Sequence, residues 1–375
     1  MMTLNNIASK HAKAYIGRAL GALFIGICLL AIALSVAMPH GSSAASTTTS
    51  TPNGIWISSA ELAALPMSGP AWTRLKAAAD GSLGTPNIAD QNSNHDVNTL
   101  AVALVYARTG TAAYRVKAAN AIMTAIGTER GGRTLALGRN LAGYVIAADL
   151  INLKTYDAAK EQQFRAWLSA VRTETLDSLT LIKTHESRPN NWGTHAGAAR
   201  IAADLYLGDT ADLNRAASVF KGWLGDRSAY SGFKFGDLSW QANSSAPVGI
   251  NPAGATKSGH SIDGALPDDM RRGCSFTWLP CYTNYPWGAM EGATVQARLL
   301  AHAGFDSWNW SNKAMLRAPQ FLYNLSRVAG SNWWASGDDQ STVWIFNHAY
   351  GASFPAAMPA HIGKSIGWTD WTFGR

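Results

Sequence analysis

His95 to Ile126 reads HDVNTLAVALVYARTGTAAYRVKAANAIMTAI. Apolar side chains recur at helical spacing on both sides of Thr109-Gly110, and glycine ends a helix well because it lacks a Cβ. The spacing predicts a helix over His95 to Tyr106, a tight turn, and a second helix over Ala113 to Ile126. The same rhythm returns along the chain. It predicts helices over Ser59 to Ala64 (Ser59 as N-cap), Asn140 to Leu153, Tyr156 to Thr173, and Asn191 to Leu207 closed by Gly208. Further helices are expected over Thr210 to Leu224 behind Asp209 as N-cap, Glu291 to Ala303, and Lys313 to Leu325. No alternating run is long enough for a central sheet. The expected fold class is all-α, built of stacked helical hairpins. Two stretches interrupt it, the polar loop Asp80 to Asp96 and the long segment Ser228 to Met290. The aromatic residues of the second, among them Phe233, Trp240, Phe276 and Trp278, argue for a packed segment.

Of 375 residues, 47% are hydrophobic and 15% charged, which supports a sizeable core and excludes a disordered chain. Lys10, Lys13 and Arg18 precede the uncharged run Ala19 to Met38, and the small residues GSSAAS follow. This reads as a secretory signal peptide over residues 1–45, with cleavage near Ala45. If uncleaved, the run is long enough to anchor the chain in a membrane. Residues 46–53 read as a Ser/Thr linker and 54–375 as a single domain. A secreted or periplasmic location is expected, without stable membrane association after cleavage. Removing residues 1–45 takes away three basic side chains and no acidic one, so the net charge falls from +7 to +4. No RNP, helix-turn-helix or basic-region pattern points to nucleic acid. No Cys/His spacing fits a zinc module, and no metal or other cofactor is expected.

Two constellations carry candidate chemistry. Arg188 to His195 reads RPNNWGTH. If a helix starts at Asn191, then Asn191 and His195 share one face, an amide beside an imidazole that titrates near neutrality. The same residues also fit an Asn cap followed by a core histidine. Asp263 to Tyr285 reads DGALPDDMRRGCSFTWLPCYTNY. With Cys28 in the signal, Cys274 and Cys281 are the remaining cysteines of an exported chain and form an expected disulfide. Such a short loop contributes roughly 2–3 kcal/mol and pins the backbone beside Tyr282. Trp333 and Tyr350 are expected to offer aromatic faces to sugar rings.

The run Gly264-Ala265-Leu266-Pro267, Asp269, Arg272 and then Tyr282-Thr283-Asn284-Tyr285 resembles the alginate lyase family of polysaccharide lyases, with its G-x-L-P-x-E-x-x-R and Y-H-N-Y motifs. Asn190-Asn191 resembles the family's N-N-H, and Leu100 to Ile122 is similar to its L-A-x-x-Y-x-x-T-G-x-x-x-Y hairpin. The resemblance implies an incomplete (α/α) toroid with a cleft. It implies catalytic roles for Tyr282, His195, Asn191 and Arg272, and substrate contacts from Asn190, Trp192, Arg271 and Tyr285. Two departures stand out. Trp192 occupies the position of the family histidine, with His195 one turn on, and about three extra residues separate Arg272 from Tyr282. Alginate and glucuronan both stay open as substrates.

The residue types fit β-elimination from a 4-linked uronate. Arg272 and Asn191 neutralise the C6 carboxylate, a base takes the C5 proton, and an acid protonates the leaving O4. Where H5 and O4 lie on one side of the ring, as in mannuronate and glucuronate, Tyr282 serves both steps. In guluronate they are opposed, and His195 across from Tyr282 suits that case. The partner expected is an acidic polysaccharide. An inverting glycoside hydrolase is the second reading, and it needs two carboxylates across the cleft, drawn from Asp96, Asp263, Asp268, Asp269 and Asp338-Asp339. A non-catalytic polysaccharide-binding protein is the third.

Overall fold

The computed structural model describes residues 54–357 and 363–374, so the expected signal segment and linker lie outside the described residues. The first helices are α1 (Ser59–Ala63), α2 (Pro70–Asp80), α3 (His95–Thr109), α4 (Ala112–Ala125) and α5 (Thr134–Leu150). Then come α6 (Leu153–Tyr156), α7 (Ala158–Val171), α8 (Leu181–Ser187), α9 (Asn191–Leu207) and α10 (Thr210–Trp223). After a long irregular stretch follow α11 (Pro267–Met270), α12 (Tyr285–His302), α13 (Trp310–Ala329), α14 (Gln340–Tyr350) and α15 (Thr369–Thr372). The strands among the described residues are a two-residue antiparallel pair, Thr256–Lys257 with His260–Ser261. The chain is therefore all-α, as expected.

Local chemistry sets the helix ends. Gly110 and Gly208 close α3 and α9 in the left-handed region, at φ of 70° and 71°. Asp209 caps α10 by accepting from the Asp212 N–H. At α1 the cap is Ser58 and not Ser59, because Ser58 and Glu61 exchange reciprocal bonds in a capping box. α5 starts at Thr134, six residues before the expected Asn140, and ends at Leu150. α12 starts at Tyr285 rather than Glu291, with Pro286 in its first turn, where the missing N–H removes nothing. Its glycines hid that turn from a reading based on apolar spacing. α2, α8 and α14 were not expected from spacing.

α3, α5, α9 and α12 pack side by side in that order, and each is buried on nearly every face. Outside them, α2 and α4 pack on α3, α10 on α9, and α13 on α12. α14 leans on α12, and α15 joins α14 to α2. The inner helices approach closely through glycine. A Cβ at Gly138 of α5 would stand 2.8 Å from the Ala196 nitrogen, and one at Gly292 of α12 would stand 2.4 Å from backbone atoms of Thr194 and His195. Interior glycine weakens a helix by about 1 kcal/mol, so its presence on both sides of His195 is explained by backbone proximity.

The stretch between α10 and α12 is irregular, yet its aromatic side chains pack: Trp240 on Phe276 at 4.8 Å, Tyr230 on Phe233 at 4.9 Å, and His260 stacked on Trp278 at 4.7 Å. This segment meets the start of α9 through Asp268 and Asp269 and supplies Arg272 and Asn284 to the site.

Candidate active site

The N-terminus of α9 is built from its own sequence. Asn190 caps the helix, its Oδ1 accepting the Trp192 N–H at 3.2 Å while its Nδ2 donates to Asp268 at 3.0 Å. Trp223 of α10 pins the preceding turn by donating from Nε1 to the Pro189 carbonyl at 2.7 Å. The Asn191 N–H donates to Asp269 at 3.3 Å. Asp269 is fully buried beside Asp268, and burial first and that neighbouring charge second push its carboxyl well above the usual range. Asn191 Oδ1 accepts from Arg272 Nη1 at 3.4 Å, across 81 residues of sequence.

Arg272 lies on the face of Tyr285, its guanidinium carbon 3.3 Å from the ring centroid. Together with Gln91, Arg133, Leu135, Arg139, Trp192, Asn284 and Gly288, these residues line a cavity of about 380 Å³. The lining holds three guanidiniums and no carboxylate. Arg133 and Arg188 stand over the two-ring system of Trp192, at 5.4 and 5.8 Å. A larger cavity, about 480 Å³, lies along residues 82–98 against His95 and Asp90, but it has no guanidinium and holds none of the expected site residues.

The structure thus brings Asn191, Trp192, Arg272 and Tyr285 into one cavity. Tyr282 is not in its lining; it stands nearby on the same strand of chain, 49% exposed, with its ring edge-on to Trp333 at 5.4 Å. The disulfide Cys274–Cys281 closes the loop that ends one residue before it, with the Cα atoms 5.7 Å apart.

Several expectations are corrected. His195 shares the face of Asn191 but is completely buried, one layer beneath the cavity. Its Nδ1 meets Ser365 Oγ at 2.8 Å, and its Nε2 lies 3.3 Å from Glu291 and 3.5 Å from Arg139. Burial above all, with the charges of Arg139 and Lys364, pushes the imidazole well below its ordinary range. The ring is not part of the cavity lining. Trp333 is buried, 2% exposed, because its place is behind Tyr282 rather than in a subsite. Tyr350 donates to the Trp308 carbonyl at 2.5 Å and packs edge-on to that indole, away from the cavity. Arg271 is held by Asp268 at 2.8 Å and Asn190 is consumed as a cap, so neither lines the cavity. The pair of carboxylates that a hydrolase needs is missing from the lining, as Asp268 and Asp269 are engaged beneath the cavity wall. Among the described residues no group of three or more His, Cys, Asp or Glu side chains is placed to hold a metal ion. No helix among them is long and apolar enough to cross a membrane.

Arg139 and Glu291 were missed. Each is a charged side chain inside an otherwise apolar helical run, TLALGRNLAGY and YPWGAMEGATV, and that interruption was the available signal. In the structure Arg139 Nη1 donates to Glu291 at 3.1 Å.

Comparison with curated proteins and with solved structures gives no match. Residues 87–232 match the family model described as alginate lyase, a span that contains α3 to α10 with Arg139, Asn191 and His195 and stops short of Arg272 and Tyr282. With its all-α fold and its cavity of arginine, asparagine and tyrosine, the chain is similar over residues 87–232 to the alginate lyase family, which supports a polysaccharide lyase.

Proposed function

We propose that the chain is secreted and cleaves a 4-linked polyuronate by syn β-elimination, with polymannuronate or glucuronan as the substrate class. The observation that carries this reading is the burial of His195. It leaves the Tyr285 phenol in the lining, the exposed Tyr282 phenol beside it and no imidazole or carboxylate in the lining to face them, so a ring with H5 and O4 on the same side is the one served.

In this reaction Arg272 and Asn191 receive the C6 carboxylate and stabilise the charge that gathers on it as the C5 proton leaves. Arg272 is prepared for that role by the Tyr285 ring beneath it and the Asn191 oxygen beside it. Tyr282 takes the C5 proton on its phenol oxygen. The C5–H electron pair becomes the C4=C5 double bond, the C4–O4 bond breaks, and the same proton passes to O4. No water is consumed. Trp333 backs the Tyr282 ring and the adjacent disulfide fixes its backbone.

The test is product analysis on polymannuronate, polyguluronate, glucuronan and hyaluronan. Unsaturated ends, absorbing near the far-UV edge, are expected from polymannuronate or glucuronan and not from polyguluronate. New reducing ends without that absorbance would reject elimination. Tyr282→Phe is expected to lower kcat about 10²–10⁴-fold at unchanged melting temperature, the range for a lost general acid–base. A Phe variant with wild-type kcat removes Tyr282 from the reaction, and Tyr285→Phe is then the variant in which the loss is sought.

A further inference from the structure

Beneath the cavity three inner helices, α5, α9 and α12, and the C-terminal segment meet in a buried polar chain. Ser365 Oγ lies 2.8 Å from His195 Nδ1, His195 Nε2 lies 3.3 Å from Glu291 Oε2, and that same oxygen accepts from Arg139 Nη1 at 3.1 Å. The imidazole thus lies between Ser365 on its Nδ1 side and the Arg139–Glu291 pair on its Nε2 side. Glu291 and His195 are fully buried, whereas Arg139 reaches from this layer into the lining of the cavity. Its Nε donates to the Gln91 carbonyl at 3.2 Å, which fixes the other edge of the guanidinium. A carboxylate buried this deeply is retained at the cost of desolvation, and here it does not touch the cavity itself.

We propose that Glu291 is a positioning residue, its carboxylate backed by His195 and Ser365 holding the Arg139 guanidinium at the cavity wall, where Arg139 receives a carboxylate of the polysaccharide. The proposal rests on the polyuronate reading above and adds to it a residue outside the reacting atoms. A guanidinium held in place binds a carboxylate without first giving up its rotamer freedom, so the effect belongs in KM.

The arrangement is also sensitive to pH. Glu291 is faced by Arg139 from α5, His195 from α9, Lys364 from the C-terminal segment, and Asp338 with Asp339 from the turn before α14. Burial, opposed by Arg139, raises its carboxyl to about 7. Below that pH it is neutral and its hold on Arg139 weakens, while the uronates of the substrate stay charged.

Kinetics on polymannuronate and glucuronan test the assignment, with wild type, Glu291→Gln, Arg139→Gln and the double variant. Each single variant is expected to raise KM about tenfold with kcat near wild type, and the double variant is expected to be no worse than Arg139→Gln. In wild type KM is expected to rise as pH falls from about 8 to about 5.5, and this slope is expected to vanish in Arg139→Gln. Wild-type KM in Glu291→Gln, losses that multiply in the double variant, or a slope that persists without Arg139 would each overturn it. The slope comparison needs no Glu291 variant, so it stands even where Glu291→Gln does not fold. Should wild type release no unsaturated product, the elimination reading fails. Calorimetric binding of polymannuronate then decides the positioning role, with equal affinity in wild type and Arg139→Gln, or no binding, overturning it.

Discussion

The buried polar side chains around the start of α9 and the C-terminal segment are explained by what they hold. Asn190 caps α9 and ties it to Asp268. Lys364 donates to Asp96 at 2.8 Å and to Asn140 at 2.7 Å, which anchors the C-terminal segment beside Ser365. His195 joins that segment to Glu291. Replacing His195 with Ala leaves a cavity between α5, α9 and α12 and takes from Ser365 Oγ its hydrogen-bond partner. The expected outcome is a melting temperature lower by several degrees, a raised KM and a kcat, per folded molecule, within tenfold of wild type. Scanning calorimetry beside steady-state kinetics checks this. A kcat loss of about 10²–10⁴-fold at unchanged stability would return His195 to the reacting atoms.

At the level of elements, the site exists because α5, α9 and α12 lie close enough for Arg139, His195 and Glu291 to touch. The contacts of Gly138 with His195 and Ala196, and of Gly292 with Thr194 and His195, make that approach possible. Gly292→Ala brings a methyl group to 2.4 Å from the α9 backbone, which is rigid and cannot rotate away. The two helices must separate, and overpacking of this kind costs about 1–3 kcal/mol. The variant is expected to unfold at lower denaturant concentration with an unchanged slope, and to raise KM because Glu291 moves away from Arg139. Equal stability and equal KM would show that the interface yields without consequence.

For the whole molecule, stability and activity respond oppositely to pH. Burial raises the carboxyl of Glu291 to about 7 and, together with the Glu291 charge, that of Asp339 to about 8. Unfolded carboxyls lose their protons near pH 4, so between there and pH 8 the folded state binds more protons and stability falls as pH rises. His95, His185, His195 and His302 act the other way, since burial keeps them neutral below 6.5, and their contribution grows until pH reaches that value. Above about pH 6.5 the carboxyls alone remain. The melting temperature is expected to fall between about pH 6.5 and 8.5, with a shallower fall in Asp339→Asn. A flat profile in wild type would show that these carboxyls are ionised throughout.

The sequence by itself determined helices such as α3, α4, α9 and α10, since periodicity and end signals act over a few residues: α9 runs from Asn191 to Leu207 and stops at Gly208, as the spacing says. It also placed Asn191, Trp192, Arg272, Tyr285 and Tyr282 together as one set of motif residues, and the structure brings the first four into one cavity. The helix starts at Thr134 and Tyr285 were not legible, because glycines that serve contact between helices weaken the local signal. What only the tertiary structure decided is depth. Spacing puts Asn191 and His195 on one helix face but cannot say how far down the face solvent reaches. Ser365, 170 residues away, and Glu291 with Arg139, 152 residues apart, close over the ring. Trp333 behind Tyr282 is decided in the same way. A local pattern fixes which side chains share a face; burial depends on partners brought by distant chain, and with it go the charge, reach and role of each group.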